Sequence, residues 1–133
     1  MEQVSKVEDL PSIKKFREFV AGLECTKGKE FSIRLNHAVN GIGGEAGELL
    51  GEYKKGYIYP KEGVLKREKW ENEACDLFHY FILLTNVLGI SIDRLIELNI
   101  VKLEERYPKG YSEDSALNKN EEKELEAMRE VSE

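Results

Sequence analysis

Glu45 and Glu48 in the stretch GEAGEL, and Glu73 and Asp76 in the stretch ENEACDLF, form two acidic pairs with the same i,i+3 spacing. On a helix, residues three apart share a face, with Cβ atoms roughly 5–6 Å apart. One such pair is the ordinary content of a solvated helix face. The second pair differs because it interrupts an apolar run, where a carboxylate is costly unless it is paired or coordinates a metal. No Lys or Arg stands within a turn of Asp76 to pair with it. Two acidic pairs on neighbouring helices would repel one another without a cation between them. Oxygen ligands in that number suit Mg²⁺, with Mn²⁺ as the alternative, better than zinc, which prefers nitrogen and sulfur. A metal held by a few carboxylates keeps waters and open positions that phosphate oxygens can occupy. These residues therefore point to metal-assisted chemistry on a phosphate.

The elements that must position them are helical. Asp9-Leu-Pro11-Ser12 supplies capping residues and a proline suited to a first turn, and Ile13, Phe16, Phe19 or Val20, and Leu23 follow at helical spacing. Apolar positions resume at Leu35, Ala38, Ile42, Ala46, Leu49 and Tyr53, which predicts a second helix carrying the first acidic pair. GYIYPKEGVLK, residues 56–66, is expected to be a loop or short hairpin, and a third helix runs from about 66 to 88 with the second pair. Ser91 is the expected N-cap of a fourth helix reaching Arg106, stopped by Pro108 and Gly110. The third helix is apolar on nearly every side in its second half, so it must be enclosed, and four helices of this size enclose it best by pairing with another copy. The expectation is an all-α four-helix bundle over residues 1–111, completed by oligomerisation to a homodimer or homotetramer. Residues 112–133 are mostly charged and are expected to form a tail or a solvated final helix.

The glycines around the first pair admit other readings. Gly41-Ile-Gly43-Gly-Glu-Ala46 fits the letters of a dinucleotide fingerprint, but helical spacing begins before it and Glu45 and Glu48 would face the phosphates. No Lys-Ser/Thr follows to make a Walker-type loop. Gly44, Gly47 and Gly51 share a stripe that would permit close helix packing, yet each interior glycine costs about 0.5–1 kcal/mol relative to alanine. The face that continues the acidic pair comprises His37, Gly41, Glu45, Glu48, Glu52 and Lys55.

GEAGEL followed by Glu73-Ala-Cys-Asp76 resembles the signature of the MazG-like all-α nucleoside triphosphate pyrophosphohydrolases, EExxE, a spacer, then ExxD. NIVKLEERYPKGYS resembles the stretch that follows the metal helices in that family. Gly44 stands where the signature has its first glutamate, which is similar to the phage and short bacterial members. The resemblance implies Mg²⁺-dependent hydrolysis of a (deoxy)nucleoside triphosphate to the monophosphate and pyrophosphate, with Glu45, Glu48, Glu73 and Asp76 as metal ligands. Glu48 is the expected proton acceptor. The resemblance also implies that Asn99 and Lys102 contact the nucleotide. Arg106 shares their helix face and could steady charge on the leaving pyrophosphate, although cations at a helix end also complement the macrodipole. Lys55, His37, Trp70 and Tyr80 lie near the acidic pairs in register and are further candidates for substrate contact, although aromatics at helical spacing more often belong to the core and a histidine there to a cap or the surface.

The wider composition narrows the alternatives. With 20 Lys+Arg against 26 Asp+Glu and a net charge of −6, no sequence-wide basic field draws in a nucleic-acid polymer. The first residues lack the order of a secretory signal, and the longest apolar run, residues 77–92, is too short and too polar for a bilayer span, so a cytoplasmic protein is expected. Cys25 and Cys75 show no metal-ligand spacing and read as small buried or half-buried thiols. Asp76-Leu-Phe-His79 suggests a di-iron carboxylate bundle, but a second acid-x-x-His set is absent. A non-catalytic helical interaction module accounts for the apolar third helix, but not for acids interrupting it in register.

Overall fold

A computed structural model describes residues 11–58 and 66–131. Six α-helices account for most of them: α1 (Pro11–Leu23), α2 (Phe31–Tyr53), α3 (Arg67–Leu88), α4 (Ile92–Arg106), α5 (Glu113–Leu117) and α6 (Glu121–Arg129). No strand occurs among the described residues, so the chain is all-α there. The helices divide into two compact units, one from Leu10 to Gly89 and one containing everything from Ile90 onward. The expected Asp9 cap lies outside the described residues, as do residues 59–65 of the expected loop. Gly56–Ile58, at the start of that loop, remain helical instead, in a π-helical turn spanning Lys54–Ile58 that prolongs α2.

In the first unit, α1 turns its apolar residues onto α3. Val20 is fully buried, and the rings of Phe16 and Phe78 stack with centroids 5.4 Å apart. A polar clamp joins the same two helices. Arg17 Nε donates to Asn86 Oδ1 at 3.1 Å, and Asn86 Nδ2 donates to the Arg17 carbonyl at 3.1 Å. The turn into α2 uses Gly28, whose φ of 81° is strained for other residues. It is pinned by Arg34, whose Nη2 donates to Glu24 Oε2 at 3.0 Å. α2 then runs unbroken through Gly41, Gly43, Gly44, Gly47 and Gly51, so a dinucleotide-type loop is absent.

α2 and α3 are antiparallel neighbours: Gly41 meets Tyr80, while Glu45, further along α2, meets Asp76, earlier in α3. The core lies at the C-terminal end of α3, where Ile82, Leu83, Thr85 and Val87 are buried. Thr85 is satisfied there by donating to the Ile82 carbonyl at 2.7 Å. Gly89, with φ 66°, closes α3 in the left-handed conformation that favours glycine.

Within the first unit, the described residues do not supply the enclosure expected for α3. Phe78, Phe81 and Leu88 remain 38–48% exposed, and Val39, Leu50 and Tyr53 of α2 are 45–54% exposed. Cys25 and Cys75, expected to be buried or half-buried, are both exposed.

In the second unit, Ser91 caps α4 as expected, its Oγ accepting from the Arg94 amide at 3.1 Å. The stretch expected as a tail or solvated helix forms α5 and α6, capped by Ser112 and Asn120, and α6 packs on α4. Charge composition hid this because the residue that docks α6 is itself a glutamate, Glu124, which is buried. Along the chain, the division between the compact units falls after Gly89.

Candidate functional site: a carboxylate triad across two helices

The acidic pairs meet where α2 crosses α3. One carboxylate oxygen from each of Glu45, Glu73 and Asp76 lies within 4.8 Å of the other two. Glu45 and Glu73 are half-buried and Asp76 is exposed. Two oxygens bound to one Mg²⁺ are separated by no more than about 4.2 Å, because each sits at 2.0–2.1 Å. A small rotation of the side chains thus brings the three oxygens to ligand distance, and their hard, anionic character suits that ion. Asp76 needs no cation on account of burial, since water reaches it; the case for a metal rests on convergence of the three acids.

Electrostatics at the triad follow from this crowding. Glu45 is held above its ordinary value, first by partial burial and then by the charges of Asp76, Glu73 and Glu48, with His79 acting in the opposite direction. A cation among these groups would relieve the repulsion that raises it. Glu48 stands outside the triad, is exposed, and acts on Glu45 from one turn away.

The close approach of the helices has one identifiable cause. A Cβ at Gly41 would collide with Cγ, Cδ1 and Cε1 of the Tyr80 ring, so only glycine allows the ring to lie against the α2 backbone. Gly41 is one turn before Glu45 and Tyr80 one turn after Asp76, so this contact sets the separation of the acids. By contrast, a Cβ at Gly43, Gly44, Gly47 or Gly51 would meet nothing within 4 Å, and the expected packing stripe is not used among the described residues.

The remaining candidates are distributed around this centre. Tyr80 is half-buried and touches two imidazoles, His37 at 5.8 Å edge-on and His79 at 4.9 Å between centroids. Nε2 of His37 lies 3.6 Å from the Cys25 sulfur. Lys55 donates to Glu52 at 3.2 Å and also feels Glu48 and Glu73, which raises its pKa, the hydrogen bond to Glu52 being the main cause. Trp70 is half-buried one turn before Glu73. Asn99, Lys102 and Arg106 belong to α4 in the second unit, where Arg106 is engaged by Glu124.

Gly41, His79 and Glu124 are the residues whose roles sequence reasoning missed. His79 carried a signal, being three residues after Asp76. Gly41 was hidden among glycines that look alike, and Glu124 among charges that look solvated.

No single helix among the described residues is long and apolar enough to cross a membrane. No family model matches the chain, and no solved structure matches it. The Gene 37 protein of Mycobacterium phage L5 is 30% identical over 88 residues, a match covering 64% of this chain and 76% of that protein.

Proposed function

The chain belongs to the family of the Gene 37 protein of Mycobacterium phage L5, and from its carboxylate triad we propose that it is a MazG-like, Mg²⁺-dependent pyrophosphohydrolase of (deoxy)nucleoside triphosphates. The observation that carries this reading is the convergence of Glu45, Glu73 and Asp76 from two helices, within 4.8 Å, at a place where their repulsion is unrelieved within the triad. Bound there, Mg²⁺ or Mn²⁺ would neutralise phosphate charge and lower the pKa of an attacking water.

The protein's own groups then divide the work. Glu45, Glu73 and Asp76 hold the ion, and Glu48 at their margin is its fourth ligand or the acceptor of the water's proton. Asn99 and Lys102 hold the nucleotide, on the strength of the family resemblance, and Arg106 is the candidate for steadying the leaving pyrophosphate. Lys55, His37, Trp70 and Tyr80 are second candidates for contact with sugar or base. The Gly41–Tyr80 contact positions the acids by keeping the helices close.

Oligomerisation belongs to the same reading. Val39, Leu50 and Tyr53 on α2, and Phe81 and Leu88 on α3, lie roughly a third of a turn from the line where the helices touch, in the same rotational sense. In an antiparallel pair those positions fall on one side of the hairpin. Such an exposed apolar face fits a second copy, giving a homodimer or homotetramer. An interaction module without catalysis would account for that face, but not for three acids brought together beside it.

The deciding experiment measures pyrophosphate and orthophosphate released from a panel of ribo- and deoxynucleoside triphosphates, with and without Mg²⁺. Metal-dependent pyrophosphate release is expected. Orthophosphate alone, or no turnover of any triphosphate, overturns the assignment.

A further inference from the structure

A second polar centre joins α4 to α6. Arg106 Nε donates to Glu124 Oε1 at 2.6 Å and Arg106 Nη2 donates to Oε2 at 2.9 Å, a two-pronged pairing of a planar fork with a carboxylate. The Arg106 side chain is 18% exposed and that of Glu124 only 4%. Arg106 holds the Glu124 carboxyl below its ordinary range, and Lys102, one turn earlier on the same face of α4, acts on it in the same direction.

Besides this pair, α6 is held by half-buried Ala127 and Met128 and, just past its end, by Arg94 of α4, whose Nη1 donates to the Val131 carbonyl at 3.5 Å. Glu124 is its only buried residue, and Leu125 is 42% exposed. The first turn adds Glu121 and Glu122, both exposed. A nine-residue helix with no fully buried apolar residue opens at lower cost than one docked by an apolar face. Its hold also weakens when another anion offers the guanidinium a matching pair of oxygens, and phosphate does this.

We infer that α6 is an acidic strap, in which Glu124 occupies the Arg106 guanidinium that a polyphosphate would otherwise engage beside Lys102, so that the anion and α6 compete for one face of α4. The identity of that anion rests on the function proposed above. Because only the opened fraction is competent, the strap lowers apparent affinity by that fraction.

The test uses the full chain and inorganic tripolyphosphate, with chloride added to hold ionic strength constant. Amide hydrogen exchange across residues 121–129 is expected to quicken as tripolyphosphate saturates. Glu124→Gln is expected to tighten tripolyphosphate about tenfold, and to lower KM for a triphosphate substrate with kcat unchanged. No binding of tripolyphosphate, unchanged or slowed exchange in α6 at saturation, or a raised KM in Glu124→Gln overturns the strap. Should Glu124→Gln fail to fold, the exchange measurement on the unaltered protein decides alone. If no triphosphate is hydrolysed, the catalytic assignment falls while the exchange result still judges the strap; if hydrolysis proceeds and α6 does not respond, only the strap falls.

Discussion

Replacing Gly41 and Gly47 separately by alanine should have opposite effects, although both lie in the same helix. Each change gains about 0.5–1 kcal/mol from reduced backbone freedom in the unfolded chain and better helix propensity. At Gly47 nothing lies within 4 Å of the new methyl, so that gain stands. At Gly41 the methyl collides with three atoms of the Tyr80 ring, and the ring is backed by α3. Overpacking of this kind costs typically 1–3 kcal/mol, and a clash with an aromatic ring belongs near the upper end. The net loss at Gly41 is then about 2 kcal/mol, and the two variants differ by about 3 kcal/mol. For a chain of this length, about 3–5 °C accompanies each kcal/mol, so melting temperatures should differ by about 10 °C. Differential scanning calorimetry of the metal-free protein measures this. A double-mutant cycle adding Tyr80→Ala should convert Gly41→Ala from harmful to neutral or favourable. Equal stabilisation by both alanines would show that α2 and α3 are not in contact at Gly41. Destabilisation by Gly47→Ala would place a second copy against the open glycines, contrary to the docking face proposed on the other side of the hairpin. Because Gly41 precedes Glu45 by one turn, Gly41→Ala should also weaken Mg²⁺ binding, readable by titration calorimetry.

Four further outcomes follow from the geometry. Glu48→Gln and Asp76→Asn should abolish pyrophosphate release while leaving the far-ultraviolet helical signal intact; wild-type turnover in either would remove that residue from the site. Glu45 binds its proton more tightly folded than unfolded, so its contribution favours the fold below the ordinary glutamate value of 4.5 and is lost as pH rises through the raised folded value. The melting temperature of chelated protein should therefore carry a downward contribution with rising pH there, reversed by millimolar Mg²⁺, and absence of any Mg²⁺ effect would count against a preformed site. Glu124 has the opposite sign: its pairing with Arg106 stabilises above the ordinary carboxylate range and is lost as pH falls through the lowered folded value, so wild type and Glu124→Gln should converge in stability in acid. Leu50→Glu should shift the protein to a smaller species by light scattering if the exposed face of the hairpin meets a second copy.

Helix identity and the acidic pairs were legible because the 3.6-residue period fixes which residues share a face, whatever the helix packs against. The same period could not say how far α2 is rotated toward α3. That rotation decides that Gly41 makes the close approach while Gly44, Gly47 and Gly51 do not, and that Glu48 stands outside a triad its neighbour Glu45 joins. The pairing of Arg106 with Glu124 spans 18 residues and depends on α6 folding back, for which the sequence offers a run of charges and little periodicity. The π-helical turn at Lys54–Ile58 was likewise hidden, since Gly56 reads as a place to stop.

Because Glu45 comes from one helix and Glu73 and Asp76 from another, the centre tolerates changes of chain length very unevenly. Residues added to the connection between the helices alter neither phase. A single residue inserted between Gly41 and Glu45 would swing that glutamate by roughly 100° around the axis of α2, leaving every acid present and the ensemble dispersed.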